Sequence, residues 1–302
     1  YPDNGNYSLS FDGENNGVSG TASSSLDVSD SDLLSISAWV KPSENPNNPG
    51  VVFAHTNNYR WHQYALIINP DGKLYFISGL ASFEAGGNNL SNGQIPLGVW
   101  SHIALTYDGT AVRFYINGES DFTHNVEDTF GTEYMGEFHI GHVDGDSYFK
   151  GLISDISVWN IALDENQIQT NMSSDLNGNE SGLVGHWNFS AGDGDFLYDR
   201  SENSNHGTIN GAGWSEDIPY TGPEWFVSAD GDDSNNGSQD QPFASIQTAI
   251  NSASDGHIVL VAPGTYVENI NYNGKNIIVA AEAGPEETVI DGNQSGTVVV
   301  FD

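Results

Sequence analysis

Residues 99–119 read VWSHIALTYDGTAVRFYINGE, and this stretch decides the fold of the first part of the chain. Apolar and polar side chains alternate on both sides of Asp108-Gly109, a period of two that is typical of strands with one buried face. Asp108-Gly109 and Asn117-Gly118 are strong hairpin signals, because both central residues of a type I′ turn need positive φ. The stretch predicts a strand, a tight turn, a second strand and a second turn.

The same pattern extends outward to about residue 215. Asp12-Gly13 and residues 69–72 (NPDG) are further turn signals between short apolar runs. Asp164, with Gln167 three residues on, predicts the capped start of the single helix. Further strands are predicted over 7–11, 33–40, 51–54, 64–69, 73–78, 138–141, 149–153, 156–159 and 183–189. Many short strands with glycine turns indicate an all-β, two-sheet antiparallel sandwich.

Several blocks, in this order, resemble the laminin-G-like/concanavalin-A-like jelly-roll family. They read FDGENNGV, SISAWVKP, VWSHIALTYDG, VRFYINGE, HIGHVDGDSYFKGLISDISVWNIAL and LVGHWNF. The resemblance implies a jelly-roll domain over residues 1–218, and it is specific for the fold rather than for the ligand.

The sequence pattern changes after a proline- and glycine-containing linker at 219–224. Residues 242–254 predict an amphipathic helix with Pro242 in its first turn. Apolar runs at 258–262, 277–281 and 297–301 start 19 and 20 residues apart, and 267–270 and 288–290 form a second series. Such repetition predicts stacked rungs. Residues 225–302 resemble the start of a pectate-lyase-like right-handed β-helix, with the helix as its N-terminal cap and two to three rungs of a longer β-helix.

The composition excludes several classes of protein. Seven Lys and Arg face 41 Asp and Glu, a net charge of −34, which opposes binding to nucleic acid or an anionic membrane. There is no cysteine, which rules out disulfides and cysteine catalysis. No apolar run is long enough to predict membrane insertion. Little lysine with much Asn, Gly, Ser and Asp is typical of an extracellular or cell-surface bacterial protein.

Calcium is the predicted cofactor, because carboxylate and amide oxygens on glycine-rich turns suit this ion. The jelly-roll resemblance implies a structural Ca²⁺ at Asp12, Asn15 or Asn16, and Asp155, although Ser154 stands where the family usually has aspartate. The alternative is that Asp12 only caps a turn and Asp155 is a charge at a sheet edge. The turn of Asp144 and Asp146 is a second candidate, with a plain exposed hairpin as its alternative.

A glycan site is predicted in the segment between the strands at 51–54 and 64–69. Amphipathic rings on a loop can stack on sugars, while an arginine and an amide bond hydroxyls. Alternatively Trp61 begins the next strand and belongs to the core. The candidate ligand-binding residues are Asn58, Tyr59, Arg60, Trp61 and His62.

Signals for catalysis are weak. Residues 119–124 (ESDFTH) lack the second glutamate of the Glu-x-Asp-x-x-Glu pattern of sandwich glucanases. The sequence favours a non-catalytic, calcium-stabilised module that binds a polysaccharide or glycoconjugate in carbohydrate recognition or adhesion. Two alternatives stay open: the N-terminal part of a polysaccharide lyase or hydrolase with its active site downstream, and a structural spacer that self-associates through the β-helix end or a sheet edge.

Overall fold

The computed structural model describes residues 1–46, 48–56, 62–78, 90–126, 129–130, 136–143, 147–219, 224–254, 257–294 and 296–301. The chain divides into two compact units, Tyr1–Pro219 and Tyr220–Asp302. Within the described ranges no helix is long and apolar enough to cross a membrane.

The first unit is built from two eight-stranded antiparallel sheets in a jelly-roll-like arrangement. The first sheet has the order β10-β9-β8-β3-β14-β1-β18, with β15 also paired to β14, and the second has the order β16-β17-β2-β11-β4-β5-β6-β7. The elements are β1 Ser8–Asp12, β2 Gly17–Thr21, β3 Leu34–Pro42, β4 Gly50–Thr56, β5 His62–Ile68, β6 Lys73–Ser78, β7 Leu90–Gln94, β8 Ser101–Tyr107, β9 Ala111–Ile116, β10 Glu119–Asn125, β11 Glu137–Ile140, β12 His142–Val143, β13 Ser147–Tyr148, β14 Lys150–Trp159, α1 Glu165–Met172, β15 Leu183–Trp187, β16 Phe196–Leu197, β17 Gly207–Asn210 and β18 Gly213–Ser215.

Aromatic rings join the two sheets in the core. Trp187 of the first sheet lies 4.9 Å from Phe138 and 5.4 Å from Phe53 of the second, between ring centroids. All three side chains are fully buried. Burial of each such side chain stabilises the fold by roughly 2–3 kcal/mol, so these contacts make up for the modest aliphatic content.

The 99–119 stretch forms β8, β9 and the start of β10, as its alternation predicts. Asn117 and Gly118 both have positive φ, 51° and 79°, which confirms the predicted type I′ residues. The first turn differs. Gly109 has a φ of 84°, whereas Asp108 is outside the positive-φ region, and its carboxylate instead accepts hydrogen bonds from the backbone N–H groups of Thr110 and Ala111. The turn is therefore centred one residue later than predicted.

β14 is one ten-residue strand where the sequence predicts two. Asp155 has a φ of 45°, and the register with β3 shifts between Ser154 and Ser157. This is a β-bulge, which adds a residue and interrupts the alternation without ending the strand. The apparent gap between the strands predicted at 149–153 and 156–159 is this bulge.

The helix α1 confirms the predicted capping box. The Asp164 carboxylate accepts from the N–H of Gln167, and the Gln167 side chain accepts from the N–H of Asp164, each at 2.9 Å. Ile168 is buried in a small apolar cluster with Tyr115 and Trp159. The cap fixes where the helix starts, and the cluster holds the helix on the first sheet.

The second unit contains small parallel sheets and one helix. The sheets have the orders β19-β20-β23, β21-β24 and β22-β25. Its elements are β19 Glu224–Val227, α2 Ile246–Ser252, β20 Ile258–Val261, β21 Gly264–Tyr266, β22 Ile270–Asn271, β23 Ile278–Ala281, β24 Thr288–Ile290 and β25 Val299–Val300. Ile246, Ala249 and Ile250 of α2 are buried in one apolar cluster with residues of β20 and β21.

The predicted repeats pair differently from expectation. The runs at 258–262 and 277–281 do pair, as β20 with β23, with a register of 20 residues. The third run, at 297–301, is not their equivalent, because β25 pairs with β22. Likewise β24 pairs with β21, at 264–266, rather than with 267–270. Because the apolar runs are almost equally spaced in the sequence, the spacing does not show which of them pair in the same sheet.

The helix α2 begins later than predicted. Phe243 is buried but precedes the helix, and Ser245 is the N-cap. The Glu268 carboxylate accepts from the first two helical N–H groups, of Ile246 at 2.8 Å and Gln247 at 2.9 Å. A carboxylate from outside the helix thus satisfies donors at its N-terminus, so the proline at 242 is not needed in the first turn.

Candidate functional site

The outer face of the second sheet carries a row of aligned side chains at one end. Phe196, Thr208, Ser19 and His139 are opposed in turn on β16, β17, β2 and β11. Directly opposed residues share a face of a sheet. Their neighbour Val18 points into the core and is fully buried, so this row faces outward.

An open groove of about 460 Å³ lies on this part of the sheet. Its lining side chains are mainly hydroxyls, with one carboxylate and one imidazole, which together can donate and accept hydrogen bonds. The lining residues are Ser19, Gly20, Thr21, Glu137, Ser204, His206 and Thr208.

Gly20 allows the chain at residue 206 to approach the floor of the groove. A Cβ at this position would lie 2.4 Å from a ring carbon of Phe138 and 2.5 Å from the carbonyl oxygen of His206. Any larger residue would push one of them away, so glycine lets the chain at residue 206 pack closely against β2.

Four rings stand beside the groove, and we call them the aromatic wall: Tyr1, Phe196, Tyr198 and His206. Tyr1 stacks on Tyr198 with centroids 5.0 Å apart and meets His206 edge-on at 4.7 Å, and Phe196 lies 6.4 Å from Tyr198. Tyr1 is 65% exposed and Phe196 53% exposed. Exposed amphipathic rings next to hydroxyls are a surface that can hold a ligand with both apolar and polar faces.

Hydrogen bonds fix the orientation and tautomer of His206. The backbone N–H of Asp199 donates to its Nδ1 at 3.1 Å. The neutral ring therefore carries its proton on Nε2, which lies 2.9 Å from the Tyr1 hydroxyl oxygen and donates to it. His206 thus joins the polar groove to the aromatic wall.

A buried carboxylate organises the loop that carries His206. Asp199 is fully buried and accepts hydrogen bonds from the backbone N–H groups of His186, Ser201 and Asn205 at 2.7–2.9 Å. The Ser201 hydroxyl supplies a fourth donor at 2.9 Å. Because four donors neutralise the cost of burying this charge, Asp199 sets the path of residues 199–206.

Arg200 contacts the aromatic wall at Tyr1. Its guanidinium carbon lies 5.7 Å from the centroid of the Tyr1 ring, within cation–π range. The same group donates to the Pro2 carbonyl, the Ser190 hydroxyl and the Asn188 side chain. These contacts hold the first residues of the chain against the sheet.

This site was not predicted from the sequence. Its residues come from the first residues of the chain, from β2, β11, β16 and β17, and from the segment between β16 and β17, which are far apart in the chain.

The predicted aromatic loop falls largely outside the described residues. Asn58, Tyr59, Arg60 and Trp61 are not described, and for His62 only the backbone is, at the start of β5. Whether Trp61 belongs to a site or to the core therefore stays a prediction.

Asp12 has the turn-capping geometry that was the alternative to a metal ligand. Its Oδ1 accepts from the backbone N–H groups of Glu14, Asn15 and Asn16 at 2.9, 3.0 and 3.3 Å. Slight burial acts to raise the pKa of Asp12, but these hydrogen bonds outweigh it and lower that pKa. Asn15 contributes its backbone to this turn.

Asp12 and Asp155 do not come together. Asp12 is paired with Lys150 of β14, five residues before Asp155, a separation of roughly 16 Å along the strand. Asp155 instead contacts His186, with Oδ1 and Nε2 3.0 Å apart. Asp144 and Asp146 lie outside the described residues. Among those described, no three histidine, aspartate or glutamate side chains are grouped to hold a metal ion.

The comparisons with known proteins follow the fold. Residues 5–169 match the Concanavalin A-like lectin/glucanases superfamily. This is more than half of the chain, which therefore belongs to that superfamily. Residues 229–293 match a second family, DUF1565, described as a protein of unknown function. No curated protein sequence matches the chain.

A solved structure shares the fold of the first unit. A "putative carbohydrate binding protein" from Bacteroides ovatus is 21% identical with a TM-score of 0.55, covering 70% of this chain and 60% of that protein. Domain 4 of an extracellular arabinanase from Geobacillus stearothermophilus, solved with arabinotriose, is 26% identical over 46% of this chain and 65% of its own, with a TM-score of 0.35. The first likeness shows the shared fold, and the second is too partial to add to it.

Proposed function

We propose that the first unit is a carbohydrate-binding module that takes a glycan in the polar groove, with sugar rings against the aromatic wall. The observation that carries the proposal is the adjacency of exposed rings and a hydroxyl-lined groove on one sheet face. The lectin/glucanase superfamily and the Bacteroides ovatus structure, named for carbohydrate binding, support it.

The chemistry of the groove suits a sugar. A pyranose presents C–H groups on its faces and hydroxyls around its rim, and the wall and the groove offer matching partners. Fixed side chains add affinity, since less freedom is lost on binding. The bonds of His206 to Asp199 and Tyr1 provide such fixing.

Binding fits the groove better than hydrolysis does. Glycosidases of the common mechanism use two carboxyl groups on either side of the scissile bond. Of the described residues that line the groove, Glu137 alone carries a carboxylate. We therefore propose recognition, without cleavage, at this site.

Isothermal titration against a panel of neutral and acidic polysaccharides tests the proposal. Phe196→Ala removes an exposed ring of the wall, and we expect roughly ten-fold weaker binding, about the contribution of one stacked ring. Phe301→Ala removes a 74% exposed ring of the second unit and is the matched control, which we expect to bind like the unmodified protein. Equal loss in both variants, or no binding to any glycan, would refute the proposal.

Calcium stabilisation of the first unit is a separate proposal. It rests on the acidic, asparagine-containing sequence at 12–16 and the Asp-Gly-Asp sequence at 144–146 and on the preference of Ca²⁺ for oxygen ligands. An ion that binds the folded state raises the melting temperature by mass action. We expect a chelator to lower the melting temperature by several degrees and added Ca²⁺ to restore it, whereas an unchanged value would contradict calcium binding.

For the second unit we propose the first turns of a parallel β-helix. The segments β20, β21 and β22 follow one another in the chain, and each pairs in parallel with a later strand, β23, β24 and β25 respectively. This is the relation between successive rungs, and the buried face of α2 fits a cap. We also propose that the protein works outside the cell, as its composition predicts, and that it serves glycan recognition or adhesion.

A further inference from the structure

Charge in and around the groove bears on which glycans it can take. Glu137 is more than half exposed, with 54% of its side-chain surface accessible, and it lines the groove. No lysine or arginine is found among the described lining residues. A ligand in the groove therefore meets, among the described lining residues, one carboxylate and no lysine or arginine, with the His139 imidazole Nε2 3.6 Å from the Glu137 carboxylate.

Of the six lysine and arginine residues that the structure describes, five are bound to other groups of the protein. Of all seven in the chain, three form ion pairs: Lys41 with Asp217, Arg113 with Asp108 and Lys150 with Glu44.

Two more basic residues bind neutral groups of the protein. The Lys275 ammonium donates to three carbonyl groups at the end of α2, and Arg200 holds the N-terminal residues. Of the remaining two, Lys73 lies on β6, separated from β11 by β4 and β5, and Arg60 is outside the described residues.

We infer that the groove selects neutral glycans over those that carry carboxylate or sulfate groups, and that Glu137 sets this selectivity. The inference rests on the proposed glycan-binding function and names its ligand class. Specificity of this kind arises from repulsion of the wrong ligand as much as from attraction of the right one.

The affinity of the groove for an acidic glycan should depend on the salt concentration. The net charge of −34 repels an acidic polysaccharide from a distance, and salt screens that repulsion beyond about 8 Å at physiological strength. Glu137 acts at contact distance, where screening is weaker. Affinity for an acidic glycan should thus rise with salt, while affinity for a neutral one should stay constant.

The test uses polygalacturonate, alginate and hyaluronan, each beside its carboxyl-reduced form, titrated at about 20 mM and about 500 mM NaCl. We expect at least one carboxyl-reduced form to bind, and its acidic parent to bind at least about ten-fold more weakly at low salt. This ratio of affinities should be smaller at high salt. Equal affinity for the two forms of every pair that binds would overturn the inference and leave the glycan-binding function standing.

Two variants assign the selectivity to its residue. Glu137→Gln keeps the shape of the side chain and removes its charge. We expect this variant to reduce the low-salt ratio of affinities for reduced and acidic glycan several-fold. Glu119→Gln makes the same change of charge at an exposed position on β10 of the other sheet, and we expect it to leave this ratio unchanged. An equal reduction by both variants would overturn the role of Glu137. If only acidic glycans bind, the inference fails and the glycan-binding function stands, whereas if no glycan binds at all, the proposed function itself fails.

Discussion

At the scale of single residues, Asp199 is a polar group on which the proposed site depends. Its buried carboxylate accepts three hydrogen bonds from its own loop and one from the N–H of His186 on β15, and its own N–H positions His206. An amide in its place would aim an N–H₂ group at donors, leaving buried groups unpaired.

Asp199→Asn should therefore lower the free energy of unfolding by about 3 kcal/mol and weaken glycan binding. Urea denaturation and titration measure the two effects. Asp193→Asn, an exposed aspartate nearby, is the control and should change neither. A fully stable Asp199→Asn protein would show that the loop does not need the charge.

Two buried histidines predict how stability depends on pH. Burial lowers the pKa of His55 to about 4, against a hydrogen bond to Gln63 and the charge of Asp27, which act to raise it. Burial likewise lowers the pKa of His102 to about 4, and the charge of Asp155 opposes it. Both rings are neutral in the folded protein at pH 7, whereas an unfolded histidine titrates near pH 6.5.

Between pH 6.5 and 4 the unfolded chain thus binds more protons than the folded one. Stability is complete above about pH 6.5 and falls as the pH drops toward 4, by up to roughly 3 kcal/mol for each histidine. Urea denaturation at pH 7.5, 6.5 and 5.5 measures this slope. A free energy of unfolding that stayed constant or rose over this range would contradict the burial of these rings as neutral groups.

At the scale of elements, the two hairpin turns allow the backbone cost of replacing a glycine to be measured apart from the steric cost. Gly109 and Gly118 both have positive φ, of 84° and 79°. A Cβ on Gly109 would meet nothing within 4 Å, whereas one on Gly118 would lie 2.9 Å from the Cγ atom of Gln169 on α1. Replacing Gly109 by alanine therefore costs only the free energy of holding a non-glycine residue at positive φ.

Gly109→Ala should cost about 1 kcal/mol of stability, and Gly118→Ala measurably more, because Gln169 must also move. Urea denaturation of the two variants compares them directly. Equal losses of stability in the two variants would mean that Gln169 moves away from residue 118 without a measurable cost.

The elements also show what the sequence could predict. The hairpin and α1 were recognised because their signals are local: Asn117-Gly118 needs positive φ, and Asp164 with Gln167 forms a capping box. The bulge at Asp155 was missed, since a positive φ at a non-glycine residue leaves no pattern in the sequence. The pairing of β25 with β22 was missed because several apolar runs had nearly equal spacing.

At the scale of the molecule, the class of fold followed from the sequence and the site did not. Alternation and turns predicted a two-sheet sandwich, because burial on one face imposes that pattern on each strand. The groove depends on which strands become neighbours: Phe196 and His139, 57 residues apart in the chain, join one row only through β17 and β2. No local rule specifies that order.

A crystal structure of the protein bound to the tightest oligosaccharide of the panel would show directly whether the groove holds the glycan. We expect a sugar ring against Phe196 or Tyr198, with its hydroxyls bonded to Thr208, Ser19 or His206. A sugar bound at the opposite sheet or at the turn of Asp12, with the groove empty, would contradict it.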